Sequence, residues 1–148
     1  MNSENSDVEQ RNNCILFAVQ QGFVLSQEPI SLSDLPDIPF VSHNRDIISR
    51  KLIQSWWDNN FNLPQNIGIE VTDVDTCLEM VRNGFGYSIV FSDVIRNLSK
   101  LYSIPLTNSN GSPFCRSTFF LYRDLVPENV ALNAFIKLLF NMASLPLA

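Results

Sequence analysis

The sequence is poor in the residues that build metal sites, disulfide frameworks and nucleic-acid surfaces. It holds one histidine, three cysteines and five glycines in 148 residues. With a single histidine and no Cys-x-x-Cys pair, a zinc site would lack ligands. Cys14, Cys77 and Cys115 are odd in number and widely spaced, which predicts reduced, buried thiols rather than a bridged scaffold. The ten Lys and Arg residues are scattered, clustering no further than Arg50-Lys51, and the net charge is −5. Nucleic-acid binding needs a basic face that displaces counterions, so the chain is not expected to bind DNA or RNA by itself. No apolar run approaches the ~20 residues of a membrane span. The opening MNSENSDVEQRNN is polar and acidic, unlike a signal or transit peptide. A cytoplasmic chain without membrane contact is expected.

What is present is a globular composition, 45% hydrophobic and 17% charged, of a length suited to one domain with a real core. Residues 1–13 carry few apolar side chains and read as a flexible N-terminal segment. Cys14 to Val19 is a continuous apolar run, the mark of a strand buried on both faces. Residues 26–37, broken by Pro29 and Pro36, read as a connector with a short helical turn capped by Ser31 or Ser33. Ile38 to Val41 is a short strand. A helix follows over about 45–60, with Asn44 as N-cap, Asp46 in its first turn, and Ile48, Leu52, Ile53, Trp56 and Trp57 as its apolar stripe. Adjacent tryptophans on a helix point about a hundred degrees apart, so one is expected buried and the other partly exposed.

Ile67 to Val71 is the next strand. Thr72 or Asp73 caps a helix over 74–83 with Val74, Leu78 and Val81 inward. Tyr87 to Phe91 is extended, Ser92 caps a short helix to about Leu98, and Leu101 to Ile104 and Ser117 to Tyr122 are strands flanking the turn-rich TNSNGSP. The last helix, about 128–144, has one polar stripe of Asn133, Lys137 and Asn141 and is otherwise apolar, so it must be almost entirely covered. Strands alternating with helices give an α/β class with a mostly parallel sheet flanked by helices.

The stretch VRNGFGYSIVF, Val81 to Phe91, places two glycines one residue apart between a helix and a strand. It is not a dinucleotide loop: Ile89 stands where a third glycine is needed, and such a loop follows a strand and precedes a helix. Gly84 instead lies where a C′ glycine with positive φ ends a helix, and Gly86 lets the backbone pack closely before the strand.

These segments together resemble the effector-binding domain of LysR-type transcriptional regulators. Pro29 to Leu35 followed by Ile38 to Val41 resembles that family's crossover into its second subdomain. Leu78 to Val90, with its Gly-Phe-Gly-Tyr, resembles the signature "lV-x-x-GlGia-lP", with Phe91-Ser92 replacing the usual Leu-Pro. Leu101 to Leu106 and Ala134-Phe135-Ile136 resemble the later strand and the last helix. The resemblance runs over about residues 14–144. It implies a periplasmic-binding-protein type II-like subdomain: residues 36–113 as effector subdomain II, and 14–35 with 114–148 as the remnant of subdomain I. It further implies a small-molecule effector, no cofactor, and DNA contact only through a winged helix-turn-helix domain not seen before residue 14. Strand 14–19 and helix 128–144 would then expose apolar faces, so the chain is expected to self-associate as a dimer or swapped dimer.

By the resemblance, and by the rule that open α/β sheets bind ligands outside the carboxyl ends of their strands, an effector is expected where strands end and helices begin. Helix N-termini there offer unpaired N–H groups. Ser42, His43 and Asn44 at one helix start, Thr72 and Asp73 at another, and Ser92 after the third strand are the candidate ligand contacts. Asp73 and Asp75 weigh against an anionic effector at the second. A stand-alone binding or protein-interaction module of the same fold is the alternative. A small hydrolase pairing His43 with Cys77 or Ser42 is the third reading, although no GxSxG elbow occurs and no catalytic residue is expected.

Overall fold

The structure, a computed structural model, describes residues 12–43, 46–94, 100–123 and 129–143. The elements in chain order are β1 (Asn12–Ser26), a 3-10 turn (Leu32–Asp37), β2 (Phe40–His43), α1 (Ile47–Asn60), β3 (Ile67–Val71), α2 (Val74–Arg82), β4 (Ser88–Phe91), a second 3-10 turn (Ser92–Val94), β5 (Tyr102–Pro105), β6 (Cys115–Arg123) and α3 (Val130–Ala143). The chain divides into two compact units. One is Gln20–Arg116; the other joins the chain's two ends, up to Val19 and from Ser117.

In the larger unit β1 lies between β4 and β5 and runs antiparallel to both, with Gly22 opposite Phe91 and Phe23 opposite Pro105. β2 and β3 pair in parallel, and Phe40 bridges to Tyr87 in parallel at the start of β4. The expectation of a mostly parallel sheet is therefore corrected: parallel pairs stand on one side and antiparallel pairs on the other. The cause is β1. A strand that arrives from outside the alternating βαβ succession is not bound by the parallel sense that a helical crossover imposes.

Successive residues send their side chains to opposite faces of the sheet. Val24, Phe40 and Ile89 join one cluster with Trp56, Trp57, Leu106 and Phe114. Their neighbours Leu25, Val41 and Val90 join another with Cys77, Leu78 and Val81. Each face is covered by one helix, α1 on the first and α2 on the second. Emptying a site such as Trp57, fully buried, would cost about 3–5 kcal/mol.

Both tryptophans of α1 are buried, not one. Trp56 donates its indole N–H to the Thr107 carbonyl at 2.9 Å, and Trp57 donates to the Leu63 carbonyl at 2.6 Å. Phe61, just after the helix, packs its ring against both, with centroids 6.0 and 4.3 Å away. The chain that leaves α1 folds back over its C-terminal end, so two ring directions find cover. Neither tryptophan is available for a subunit contact. At the other end of α1 the stripe fails, since Ile48 is 68% exposed.

Helix capping follows the sequence with one displacement. Ser31 caps the first 3-10 turn and Asp73 caps α2. α1 is capped by Asp46 and not by Asn44, which lies outside the described residues. Gly84 has φ +79° and follows the C-cap Asn83. Gly86 has φ +151°, and the Tyr87 N–H after it donates to the Pro39 carbonyl at 3.0 Å. The helix expected from Ser92 to about Leu98 is a 3-10 turn over Ser92–Val94; residues 95–99 lie outside the described residues.

In the smaller unit, Leu16 and Val19 of β1 are exposed, which corrects the reading of a strand buried on both faces there. The buried part of β1 is Gly22 and Val24 to Ser26, where β4 and β5 flank it. In α3, Ile136 and Leu139 are buried, while Phe135 and Leu138 are exposed. Phe135 meets Phe120 of β6 edge-on at 5.8 Å. Of the thiols only Cys77 is buried; Cys14 is exposed and Cys115 intermediate. No described helix is long and apolar enough to cross a membrane.

Candidate functional site

β2 ends at His43, α1 starts just beyond Asp46, and β4 ends at Phe91. The carboxyl ends of two neighbouring strands thus meet the start of a helix, the place where an α/β sheet leaves backbone groups and space for a ligand. A cleft of about 330 Å³ opens there, walled by His43, Asp46, Ser49, Val74, Phe91, Asp93, Val94 and Arg116. A smaller hollow of about 70 Å³ on the other side of His43 is lined by Ser42, Arg50, Gln54 and Glu70 among others.

Arg116 organises the cleft. Its Nη1 donates to Ser49 Oγ at 2.7 Å and to Asp46 Oδ2 at 3.3 Å. Its Nη2 donates to Asp93 Oδ2 at 3.1 Å and to Gln20 Oε1 at 2.8 Å, and its Nε donates to the same Gln20 oxygen at 2.9 Å. The guanidinium carbon lies 4.7 Å from the centre of the Phe91 ring, a cation–π contact. Sequence reasoning missed Arg116 altogether, along with Asp93 as a site residue. Its partners stand 96, 70, 67 and 23 positions away, and no local pattern signals such a gathering.

Asp46 serves two ends. Its Oδ1 accepts the Ile48 N–H at 3.0 Å, and its Oδ2 accepts the Ser49 hydroxyl at 2.7 Å as well as Arg116. The Ser49 hydroxyl first, then the Ile48 and Ser49 N–H groups and the Arg116 charge, hold this carboxyl below its ordinary value. His43 is lowered too, which for a base favours the neutral form: burial dominates, against an influence of the Ile89 backbone that raises it. Its Nε2 is buried without a hydrogen-bond partner among the described residues. Burial that outweighs the other influences favours the neutral ring.

Of the residues singled out in the sequence, His43 lines the cleft and Ser42 is buried in β2 beside the smaller hollow. Asn44 lies outside the described residues. Thr72 is exposed and stands apart from both. Asp73 puts its carboxylate on the Thr76 N–H and hydroxyl, each at 2.8 Å, as the α2 cap. Ser92 is exposed next to Asp93 and is not among the cleft's walls. Cys77, the nucleophile of the hydrolase reading, lies 3.1 Å from Ser88 Oγ with its thiol pushed up by burial.

The LysR substrate binding domain family model matches residues 12–144. The uncharacterized HTH-type transcriptional regulator YraN of Bacillus subtilis (strain 168) is 33% identical over 99 residues, 67% of this chain and 34% of its own. The chain spans about a third of the length of the curated relatives it matches. Among solved structures, the Synechocystis PCC6803 CcmR regulatory domain in complex with 2-PG superposes with a TM-score of 0.72 at 15% identity, covering 95% of this chain and 71% of that one. The effector binding domain of QuiR in complex with shikimate gives 0.66 at 17% identity, covering 93% and 68%. With α1 and α2 packed on opposite faces of the larger unit's strands and a strand-end cleft built around Arg116, the chain belongs to the LysR substrate-binding domain family.

Proposed function

We propose that the cleft around Arg116 senses a small-molecule effector on behalf of a LysR-type transcriptional regulator. The function is binding, without catalysis, in the cytoplasm. DNA would be contacted by a part of the regulator other than this chain. In this reading residues 36–113 are effector subdomain II, and 14–35 with 114–148 belong with subdomain I. The observation that carries the proposal is the cleft itself, which sits at the carboxyl ends of β2 and β4 and mixes an aromatic wall, a guanidinium, two carboxylates and a neutral imidazole. Such a combination of apolar surface with a few convergent polar groups is what orients a small ligand. His43 is the sequence-derived contact that lines it; Ser42 adjoins it, and Asn44, Thr72, Asp73 and Ser92 would act from its surroundings.

Support for a sensor over a hydrolase comes from Cys77, whose raised thiol is bound to Ser88 and the Val41 carbonyl and is not held by a base. The test is a thermal-shift screen of small metabolites against the chain, with each hit repeated on Val74→Trp, which fills the cleft. Hits are expected to vanish in the filled variant; hits that survive it would refute the cleft as the sensing site.

We further propose that the chain self-associates. Leu16, Leu121, Val130 and Leu138, from β1, β6 and α3, are all large, apolar and exposed. Side chains of this kind in number mark a surface that another chain covers. Sedimentation is expected to show a dimer that Leu138→Asp shifts to monomer. A monomeric wild type would exclude it.

A further inference from the structure

The cleft has two features that ordinarily attract anions, a guanidinium and a helix N-terminus, and both are already spent on the protein's own acceptors. A guanidinium has five N–H donors in a fixed fork. In Arg116 they meet five acceptor contacts: two to Gln20 and one each to Ser49, Asp46 and Asp93. One face of its plane is closed by Phe91. At the start of α1, the carboxylate of Asp46 takes the Ile48 N–H. Among the described residues, an incoming carboxylate or phosphate would find no free donor on Arg116 and would face the two carboxylates paired with it.

What stays open is of the opposite kind. Asp93 engages Arg116 through Oδ2, leaving Oδ1 without a partner among the described residues, on a side chain 43% exposed. His43 Nε2 lies buried and without a partner among the described residues. Among the described residues the charged groups lining the space are Asp46, Asp93 and Arg116, one net negative charge with His43 neutral.

We propose that the effector of this cleft presents a positively charged hydrogen-bond donor, an amine, amidine or guanidine, to Asp93, and that simple carboxylates are rejected. The aromatic edge of Phe91 and the side chains of Val74 and Val94 would hold the ligand's carbon skeleton. This rests on the reading of the cleft as the effector site and gives that site its charge preference. Asp93 sets the preference, because it both supplies the open acceptor and occupies an Arg116 donor at an exposed contact.

The experiment is isothermal titration of the full chain with putrescine and agmatine on one side and succinate and shikimate on the other, repeated with Asp93→Asn. The amines are expected to bind wild type and the carboxylates not. Asp93→Asn should weaken the amines about tenfold, the size of one charge-assisted hydrogen bond, and admit carboxylates by removing a negative charge beside Arg116. Asp93→Ser carries the same expectation if the Asn variant does not fold. Carboxylates binding wild type in preference to amines would overturn the charge preference and leave the effector site standing. Amine affinity unchanged in both variants would overturn the role of Asp93. Neither class binding wild type would overturn the preference together with the site.

Discussion

A Cβ built on Gly86 would stand within 2.9 Å of the Pro39 carbonyl carbon and closer still to its oxygen, the atom that accepts the Tyr87 N–H. Backbone presses on backbone here, and neither side can step aside without breaking the link between β2 and β4. Gly86→Ala is expected to cost about 3 kcal/mol, combining an unfavourable positive φ with overpacking. At Gly84 the obstruction is only the Gln27 side-chain oxygen, 2.5 Å from the built Cβ, which can swing away. Gly84→Ala should cost about 1 kcal/mol. Urea midpoints of the two variants, at unchanged slope, measure the gap. Equal losses would mean that the Pro39 contact does not matter.

Arg116→Gln removes the cation that separates Asp46 from Asp93 and leaves Gln20 and Ser49 without their donor. The pairs are partly exposed, so the expected loss is modest, about 1–2 kcal/mol. Its signature is salt dependence: with two like charges left in one cleft, added salt should restore part of the lost stability. Chemical denaturation at low and high ionic strength reads this directly, and a loss insensitive to salt would argue for a packing role.

His43 imposes a pH dependence. Its folded-state value lies below the ordinary 6.5, chiefly through burial. The unfolded chain therefore takes up the proton first as pH falls. Stability is unaffected above the ordinary value and declines below it until the folded ring also titrates. His43→Gln should flatten this limb between neutral pH and about pH 5. Urea midpoints across that range are the measurement, and identical slopes for the two proteins would contradict the buried neutral ring.

The three thiols should separate by reactivity. Cys14 is exposed, Cys115 intermediate, and Cys77 buried with a raised value. Titration with a thiol reagent is expected to consume Cys14 at once, Cys115 more slowly, and Cys77 only after denaturation. A Cys77 that reacts in the folded chain would show that α2 opens from the sheet.

Features held within a few residues were readable from the sequence. Ser31, Asp73 and Gly84 cap or end their helices through neighbours two to four positions away, and the resemblance over 14–144 rested on such local units. What escaped was set at long range. The antiparallel pairing of β1 with β4 and β5 joins Gly22 to Phe91 and Val24 to Ile104, and no run of apolar residues encodes direction. The burial of Trp56 depends on the carbonyl of Thr107, 51 residues later. The site was half visible: strand ends and helix starts could be placed, but the guanidinium that draws them together comes from β6.

The turn at Gly84 and Gly86 has a bearing on kinship. Any relative that reverses from helix to strand this way must keep bare backbone beside the Pro39 carbonyl, whatever molecule it detects. The most recognisable stretch of the chain is thus a hallmark of scaffold and mute on ligand, while the role proposed for Asp93 would leave that position at liberty to change with the molecule to be recognised.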